Sequence, residues 1–568
     1  MFIIKRFRSL LRPYYKDGLK ISLSLLFLTL ITVINPFFYK EIVDNGIMTG
    51  NTAYLIKMLV VLALARIIQE LLYLLQTSIT LKIRKGVFTK LRIDLYKHLL
   101  KLPQSFYSEN HRGRMLSRIT SDVDAVQNLL LDRFVYFVQN VLVGVFIFFI
   151  VIYINWKMIV AACVFLPIFY GLYLLFKNKI FMLSKIVQEK KEGLMERLQE
   201  DLLMVKAIQS FSVFEPRTEQ TYIAMQATED AKRKLSMKYA VASSSTTIIN
   251  ILGLLIIWGI GGIAVIKGEM TIGTLIAISF YLNYIVSLFF SAYDIVVGFH
   301  KSLPAAERIF EVMDLSLIIQ DRPDAVDIDL IKASIEFENV SFSYPQREPV
   351  LKGVNFKLDQ GDIVGIVGKS GQGKTTLANL IMRFYDPTEG MINIKGIDIK
   401  RIKLKSLRKS IAIVPQADYL FNASIKDNIV MGRKDVSEEQ LRIACEFANV
   451  DSYIAKLEDG YDTIVGEDGI RLSAGQKKRI SIARALLENP YVLILDEATT
   501  SLDRDSEEQI LKSVKLLAKD RIVLIITHSI ESIKLSNKVL YIDEAIVNQF
   551  YGYEEYIIEK HVKGCSKK

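Results

Sequence analysis

The rhythm of apolar positions divides this chain into two halves of different kind. Six continuous apolar stretches occupy the first half: Ile21–Phe38, Tyr54–Ile79, Phe134–Ile154, Met158–Phe176, Ile248–Ile266 and Ile272–Val297. Each is close to or above the ~20 residues that carry a helix across a bilayer, and few charges interrupt them. Membrane spans are therefore predicted rather than buried helices of a soluble core. Short turns such as Asn155-Trp156 and Gly268-Glu269 join the spans in pairs. The second–third and fourth–fifth connections are long, charged and helix-patterned. The ~30 residues from Thr80 to Asn110 alone make about 45 Å of helix, enough to reach a domain hanging below the membrane. Gln320-Asp321-Arg322-Pro323-Asp324 reads as a linker, and near Ser334 the rhythm changes to short apolar strands alternating with helical patterns, the sign of an α/β domain. The expected division is a helix on the membrane surface over 1–20, a membrane domain over 21–319, a linker over 320–333 and an α/β domain over 334–568.

Charge sharpens this division. The whole chain of 568 residues carries a net +11. Residues 1–332 hold 38 Lys+Arg against 27 Asp+Glu, and the rest holds 34 against 34, so all the excess lies in the membrane half. The long connections carry much of it, with Lys82, Arg84, Lys85, Lys90, Arg92, Lys97 and Lys101 in the first and Lys232, Arg233, Lys234 and Lys238 in the second. The positive-inside rule makes those connections and both termini cytoplasmic. The same distribution argues against nucleic acid as a partner, despite a pI near 9.1. Met1–Lys20 is basic and lacks a small-residue cleavage site, which favours an amphipathic surface helix over a cleaved signal. The three cysteines, Cys163, Cys445 and Cys565, are far apart and indicate neither a disulfide framework nor a zinc site.

The chemistry lies between Tyr344 and His528. Gly368-Lys369-Ser370-Gly371-Gln372-Gly373-Lys374-Thr375, followed by Thr376, is a G-x-x-x-x-G-K-T phosphate loop between the apolar strand Ile363–Val367 and the helical Leu377–Phe384. Such a loop converges backbone N–H groups and a helix N-terminus on phosphate oxygens. Lys374 would reach the β- and γ-phosphates and Thr375 would offer its hydroxyl to Mg²⁺. Asp496 ends the apolar run Val492–Leu495, which puts its carboxylate at a strand's C-terminal edge, beside the metal. Glu497 is then placed to deprotonate an attacking water. His528 follows the strand Ile522–Ile526 and offers an imidazole for hydrogen bonding to phosphate.

Taken with the six spans, these residues resemble a half-transporter of the ATP-binding cassette (ABC) exporter class, close to multidrug and lipid A flippase-like exporters. The resemblance covers nearly the whole chain. It implies that Tyr344 stacks on adenine, that Gln416 in Val414-Pro415-Gln416 links metal and water to the membrane domain, and that Leu472-Ser473-Ala474-Gly475-Gln476 is the signature motif. It also implies a D-loop at Ser501-Leu502-Asp503 and a switch histidine at His528. Leu102–Tyr107 and Gly113–Asp124 are similar to the first intracellular loop of exporters, and Thr463–Gly469 to the segment before the signature that touches the intracellular arms. In this family two cassettes close head to tail, so Ser473, Gly475 and Gln476 of one chain would complete the ATP site of another. The third signature residue is usually glycine; Ala474 here would cost about 1 kcal/mol if the site needed positive φ.

The fold class expected is thus a multi-domain membrane protein, an all-α six-helix transmembrane domain joined to an α/β P-loop nucleotide-binding domain. The expected function is a homodimeric exporter using ATP and Mg²⁺, set in membrane lipids of a bacterial inner membrane, that moves a small amphipathic drug, lipid or peptide. Arg66 and Glu70, at i,i+4 spacing inside the second span, with Asn140, Asn250 and Asn283, are the candidates for its substrate cavity. The alternatives are a bacteriocin-like peptide exporter without a peptidase domain, one subunit of a heterodimer, and an ATP-gated channel or regulator.

Overall fold

The computed structural model describes residues 2–109, 112–154, 156–316, 318–328, 333–345, 348–500 and 503–565. They form two compact units. One comprises residues 1–101 and 110–315, the other residues 102–109 and 316–568.

Each apolar stretch lies within one helix of the first unit: α1 (Tyr15–Glu41), α2 (Thr52–Lys101), α3 (Phe134–Ile154), α4 (Trp156–Leu203), α5 (Phe214–Ile266) and α6 (Ile272–Met313). Among the described residues, four helical stretches, Ser9–Ile47, Thr52–Lys101, Gly113–Tyr153 and Phe214–Ile266, are long and apolar enough to cross a membrane. The basic N-terminal helix ends at Leu11, where Arg12-Pro13-Tyr14 forms a tight turn, so α1 begins at Tyr15 rather than Ile21. Leu, Ile and Val from α1, α3, α5 and α6 make a small core around Ile147 and Tyr281, whose hydroxyl donates to the Val33 carbonyl at 2.9 Å. At the loop before α6, Asp44 accepts from Thr271 Oγ1 at 2.6 Å and from the Gly273 backbone N–H at 2.8 Å.

The chain between α2 and α3 contains two segments of wider π-helical turn, Arg118–Asp122 and Asn128–Arg133. Ion pairs hold this chain to α2 and to α6. Arg92 reaches Asp124 at 2.6 Å and Arg84 pairs with Asp132, eight positions apart on both sides, as antiparallel helices require. On the other side Arg133 reaches Asp294 at 2.9 Å, and Arg308 grips Asp122 through two bonds of 2.9 and 2.6 Å.

The second unit is built on two sheets. The smaller, in order β2-β1-β4-β5, pairs β1 (Ile335–Ser343), β2 (Pro349–Leu358), β4 (Glu389–Ile394) and β5 (Ile397–Asp398) antiparallel. The larger runs β10-β9-β3-β8-β7-β6, from β3 (Ile363–Gly368), β6 (Ile411–Val414), β7 (Val492–Asp496), β8 (Ile522–Ile526), β9 (Lys538–Asp543) and β10 (Ile546–Phe550). Its strands pair in parallel except β10. Strands β7 and β8 are buried along their whole length, which explains why they read as continuous Val/Ile/Leu runs with no alternation. The final helix, Tyr553–Cys565, packs Tyr556 into a cluster with Val367, Ile533 and Val539.

Candidate ATP-hydrolysis site

The site is a product of strand order. In a parallel sheet every strand delivers its next residue to the same edge, and neighbouring strands lie about 4.8 Å apart. The adjacent strands β3, β8, β7 and β6 therefore bring their following residues into one row: Lys374, His528, Asp496-Glu497 and Gln416. Residues more than 150 positions apart meet because their strands are neighbours.

Strand β3 ends in the phosphate loop, and helix α7 (Lys374–Ile381) starts directly after it. Gly371 and Gly373 adopt φ of +81° and +99°, a left-handed backbone that side-chain-bearing residues avoid. A Cβ on Gly373 would also lie 2.7 Å from Val350 Cγ1. Gly368, Lys369, Ser370 and Gln372 complete the loop. Lys374 is only 7% exposed and arches over it, donating from Nζ to the Gly368 and Lys369 carbonyls at 2.8 and 3.1 Å. The same Nζ stands 3.4 Å from His528 Nε2. Thr376, one turn into the helix, pairs its hydroxyl with Tyr344 at 3.1 Å. The Tyr344 ring meets Phe342 and Tyr385 edge-on, at 4.9 and 5.2 Å.

The oxygen donors meet on the other side of the loop. Thr375 Oγ1 donates to Asp496 Oδ2 at 3.1 Å. Asp496 is 3% exposed; burial pushes its carboxyl above the ordinary carboxylate range, with the Thr375 hydroxyl opposing that shift. A buried carboxylate beside a hydroxyl, at a loop built for phosphates, is the hard oxygen donor set that Mg²⁺ takes. The residues therefore fit the metal.

Glu497 has a backbone φ of +51°, so the chain leaves β7 by a left-handed turn. Its N–H donates to the Ile526 carbonyl at 2.9 Å, and its own carbonyl accepts from Thr500 Oγ1 at 2.9 Å, which holds that uncommon conformation. The turn aims the carboxylate along the strand ends. Gln416 Nε2 donates to Glu497 Oε2 at 2.7 Å, and His528 Nε2 lies 3.9 Å from Oε1.

The signature residues form their own arrangement. Ser473 caps helix α8 (Ala474–Leu486), accepting from the Gln476 N–H at 3.3 Å, while Gln476 Oε1 accepts from the Ser473 N–H at 2.8 Å. Within this chain Gln476 thus serves the cap. Ala474 is the first helical residue, with ordinary right-handed geometry, so the positive φ considered from the sequence is not required of it. Ser473 and Ala474 are exposed and Gly475 is half-buried. Of the D-loop, Ser501 and Leu502 lie outside the described residues; Asp503 caps helix α9 (Arg504–Leu517) by accepting from the Ser506 N–H at 3.1 Å.

The candidate cavity residues separate into small groups. Asn250 Nδ2 donates to Asn283 Oδ1 at 3.2 Å across α5 and α6, and Asn140 accepts from Ser287 at 3.2 Å across α3 and α6. Arg66 and Glu70 form no ion pair among the described residues, contrary to their i,i+4 spacing. Arg66 donates instead to Gln69 at 3.2 Å, which in turn bonds Thr32 and Asn35 of α1. Gln69 sits one helical turn from Arg66 and is itself fixed by α1, so it competes for the guanidinium, while Glu70 is exposed.

Two residues that sequence reading passed over belong to this region. Lys478 and Asp418 pair at 2.9 Å between α8 and the loop that carries Gln416. Their signal is faint: Lys478 falls on the face of α8 shared by Ser481, Ile482 and Ala485, which is buried.

Residues 19–289 match the family model described as ABC transporter transmembrane region, and residues 351–500 match the model described as ABC transporter. The chain is 32% identical over 548 residues to an ATP-dependent lipid A-core flippase of Syntrophus aciditrophicus, covering 95% of this chain and 90% of that one. It is 30% identical to a protein of the same name from Desulfotalea psychrophila, over 98% and 97%. A solved bacterial Atm1-family ABC exporter with ATP bound matches with a TM-score of 0.82 at 26% identity, covering 97% of each chain. With its helical membrane domain and its cassette joined in one chain, this multi-pass integral membrane protein belongs to the ABC transporter family as an exporter half-transporter that binds ATP and couples its hydrolysis to transport.

Proposed function

We propose that two copies of this chain form an exporter that moves an amphipathic substrate, a drug, lipid or peptide, from the cytoplasm or inner leaflet by alternating access. The observation that carries the dimer is the signature helix. Its N-terminal residues Ser473 and Ala474 are exposed, while Lys374, Asp496, Glu497 and Gln416 stand on the row of strand ends. Each cassette thus offers a phosphate loop and a separate, outward-facing helix N-terminus, which a second copy completes.

In this reading the phosphate-loop N–H groups and Lys374 hold the β- and γ-phosphates, and Tyr344 provides the surface for adenine. Thr375, Asp496 and Gln416 hold Mg²⁺, which when bound neutralises phosphate charge. Glu497, held by Gln416, accepts the proton of the attacking water, and His528 hydrogen-bonds the γ-phosphate. Ser473 and Gly475 of the partner copy contribute donors from the opposite side. ATP closes the cassettes, closure is coupled to rearrangement of the membrane helices, and hydrolysis resets them. Asn250 with Asn283 and Asn140 with Ser287 supply paired polar groups among apolar walls, and Arg66 with Glu70 supplies charge, as an amphipathic substrate requires. The excess of Lys and Arg on the long connections favours both termini in the cytoplasm, and the bacterial relatives favour a bacterial inner membrane.

The test is transport by this chain expressed alone. Inverted vesicles containing it should accumulate an amphipathic fluorescent probe against a gradient in the presence of Mg-ATP. ATP turnover without accumulation would favour a channel or regulator, and absence of both would favour a missing heterodimer partner.

A further inference from the structure

The cassette buries one ammonium group whose use the reading above leaves open. Lys478 lies five residues past the cap of α8 and is 2% exposed. An ammonium has three donors and no acceptor, and burying it without partners is costly. Among the described residues its hydrogen-bond and ion-pair partners lie in one loop. Lys478 Nζ donates to the carbonyls of Pro415 and Gln416, both at 3.0 Å, and pairs with Asp418 Oδ2 at 2.9 Å. Asp418 is itself largely buried, its side chain 12% exposed. Arg484, two turns further along α8, continues the attachment by donating to the Tyr419 carbonyl at 3.1 Å and to the Asn428 carbonyl at 2.8 Å.

The loop so held is the one whose Gln416 side chain bonds Glu497 at 2.7 Å. The helix that holds it is the one whose first turn presents Ser473 and Gly475. We infer that Lys478 is a positioning residue for ATP hydrolysis: it fastens the backbone of Gln416 to the signature helix, so that the residue orienting Glu497 and the helix end facing the partner's ATP move as one piece. A contact made at Ser473 is then delivered through α8 and the Lys478 ammonium to Gln416, and from there to the Glu497 carboxylate. The phosphate loop takes no part in this linkage, since Lys374 is held by Gly368 and Lys369. Loss of Lys478 therefore slows turnover and spares ATP binding. A lysine acting only as structural filler would change melting temperature and leave the rate per bound ATP untouched.

This inference rests on the proposed roles of Gln416 and Glu497, and its test separates the two. Full-length protein in lipid is assayed for ATPase rate and fluorescent-ATP affinity as wild type, Lys478→Met, Lys478→Arg, the neutral pair Lys478→Met/Asp418→Asn, and Glu497→Gln. Lys478→Met should lower kcat at least about tenfold, as a misplaced catalytic group does, with ATP Kd within about twofold. Lys478→Arg should restore part of the loss. The neutral pair, which leaves no buried charge unpartnered, guards against misfolding and should melt near wild type yet stay slow. Wild-type kcat in Lys478→Met or in the neutral pair, with Glu497→Gln inactive, overturns the inference alone. A loss of affinity as large as the loss of rate also overturns it. Full turnover in Glu497→Gln would overturn the reading of the site beneath it.

Discussion

Ala474 stands where the family's signature usually has glycine, and the structure determines what replacing it should do. Ala474 opens α8 with right-handed geometry, is exposed, and follows a Ser473–Gln476 capping box that holds the helix start. No strain is stored there for glycine to relieve. In a helix interior glycine costs about 0.8–1.0 kcal/mol relative to alanine, and at an exposed first position a few tenths is the reasonable share. Ala474→Gly should therefore lower the melting temperature slightly or leave it unchanged. Its effect on the transition state should be below about 0.5 kcal/mol, roughly twofold in rate. The assay is steady-state ATPase over a range of ATP concentrations, wild type beside variant in the same lipid, with thermal melts of both. A tenfold gain in kcat, worth about 1.4 kcal/mol, would refute the reasoning and show that the methyl group obstructs approach to the γ-phosphate.

Three further outcomes follow from the same geometry. Arg308→Gln should destabilise more than Asp122→Asn although both break one interaction, because the Asp122 side chain is 9% exposed and that of Arg308 is 49% exposed. Stranding the buried carboxylate should cost about 3–5 kcal/mol, whereas the solvated guanidinium should lose about 1–2 kcal/mol after screening; melts showing the reverse ranking would contradict this. Gly373→Ala forces a side chain into φ +99° and within 2.7 Å of Val350 Cγ1, so nucleotide titration should show at least about tenfold weaker ATP binding, and an unchanged Kd would count against the loop geometry. Burial raises the Asp496 pKa, so this group favours the fold while protonated, below that raised value, and costs stability as pH rises above the ordinary carboxylate range. Mg²⁺ relieves that cost, so the rise in melting temperature it produces with an ATP analogue should be larger near pH 7.5 than near pH 5, and equal shifts would contradict the burial argument.

Much of the architecture was legible because its signals are long or dense. Each apolar stretch lies in a helix since a continuous apolar run of that length has few other solutions. The buried strands β3, β7 and β8 carried their pattern in five or six residues apiece. The phosphate loop was readable because its glycines are required by backbone geometry, as the φ values of Gly371 and Gly373 show. What escaped was set by neighbours distant in sequence. Arg66 turned to Gln69 because Asn35 and Thr32 of another helix fix that glutamine, and i,i+4 spacing holds no record of them. In the sequence Lys478 is the middle one of three basic residues, Lys477-Lys478-Arg479, that follow the signature motif. Only the packing of α8 against the Gln416 loop distinguishes it from Lys477, which is half-buried and reaches the Asp468 carbonyl at 2.7 Å. The start of α1 at Tyr15 likewise depends on a proline turn that hydropathy does not register.

The most direct test is Mg-ATPase activity of this chain expressed alone and reconstituted in lipid, beside Glu497→Gln. Turnover in the wild type that falls by more than about 100-fold in the variant, with ATP binding retained, is the predicted result, since a general base contributes on that order. A variant as active as wild type, or a wild-type chain that binds ATP and never turns it over, would contradict a self-sufficient homodimer with Glu497 as its base.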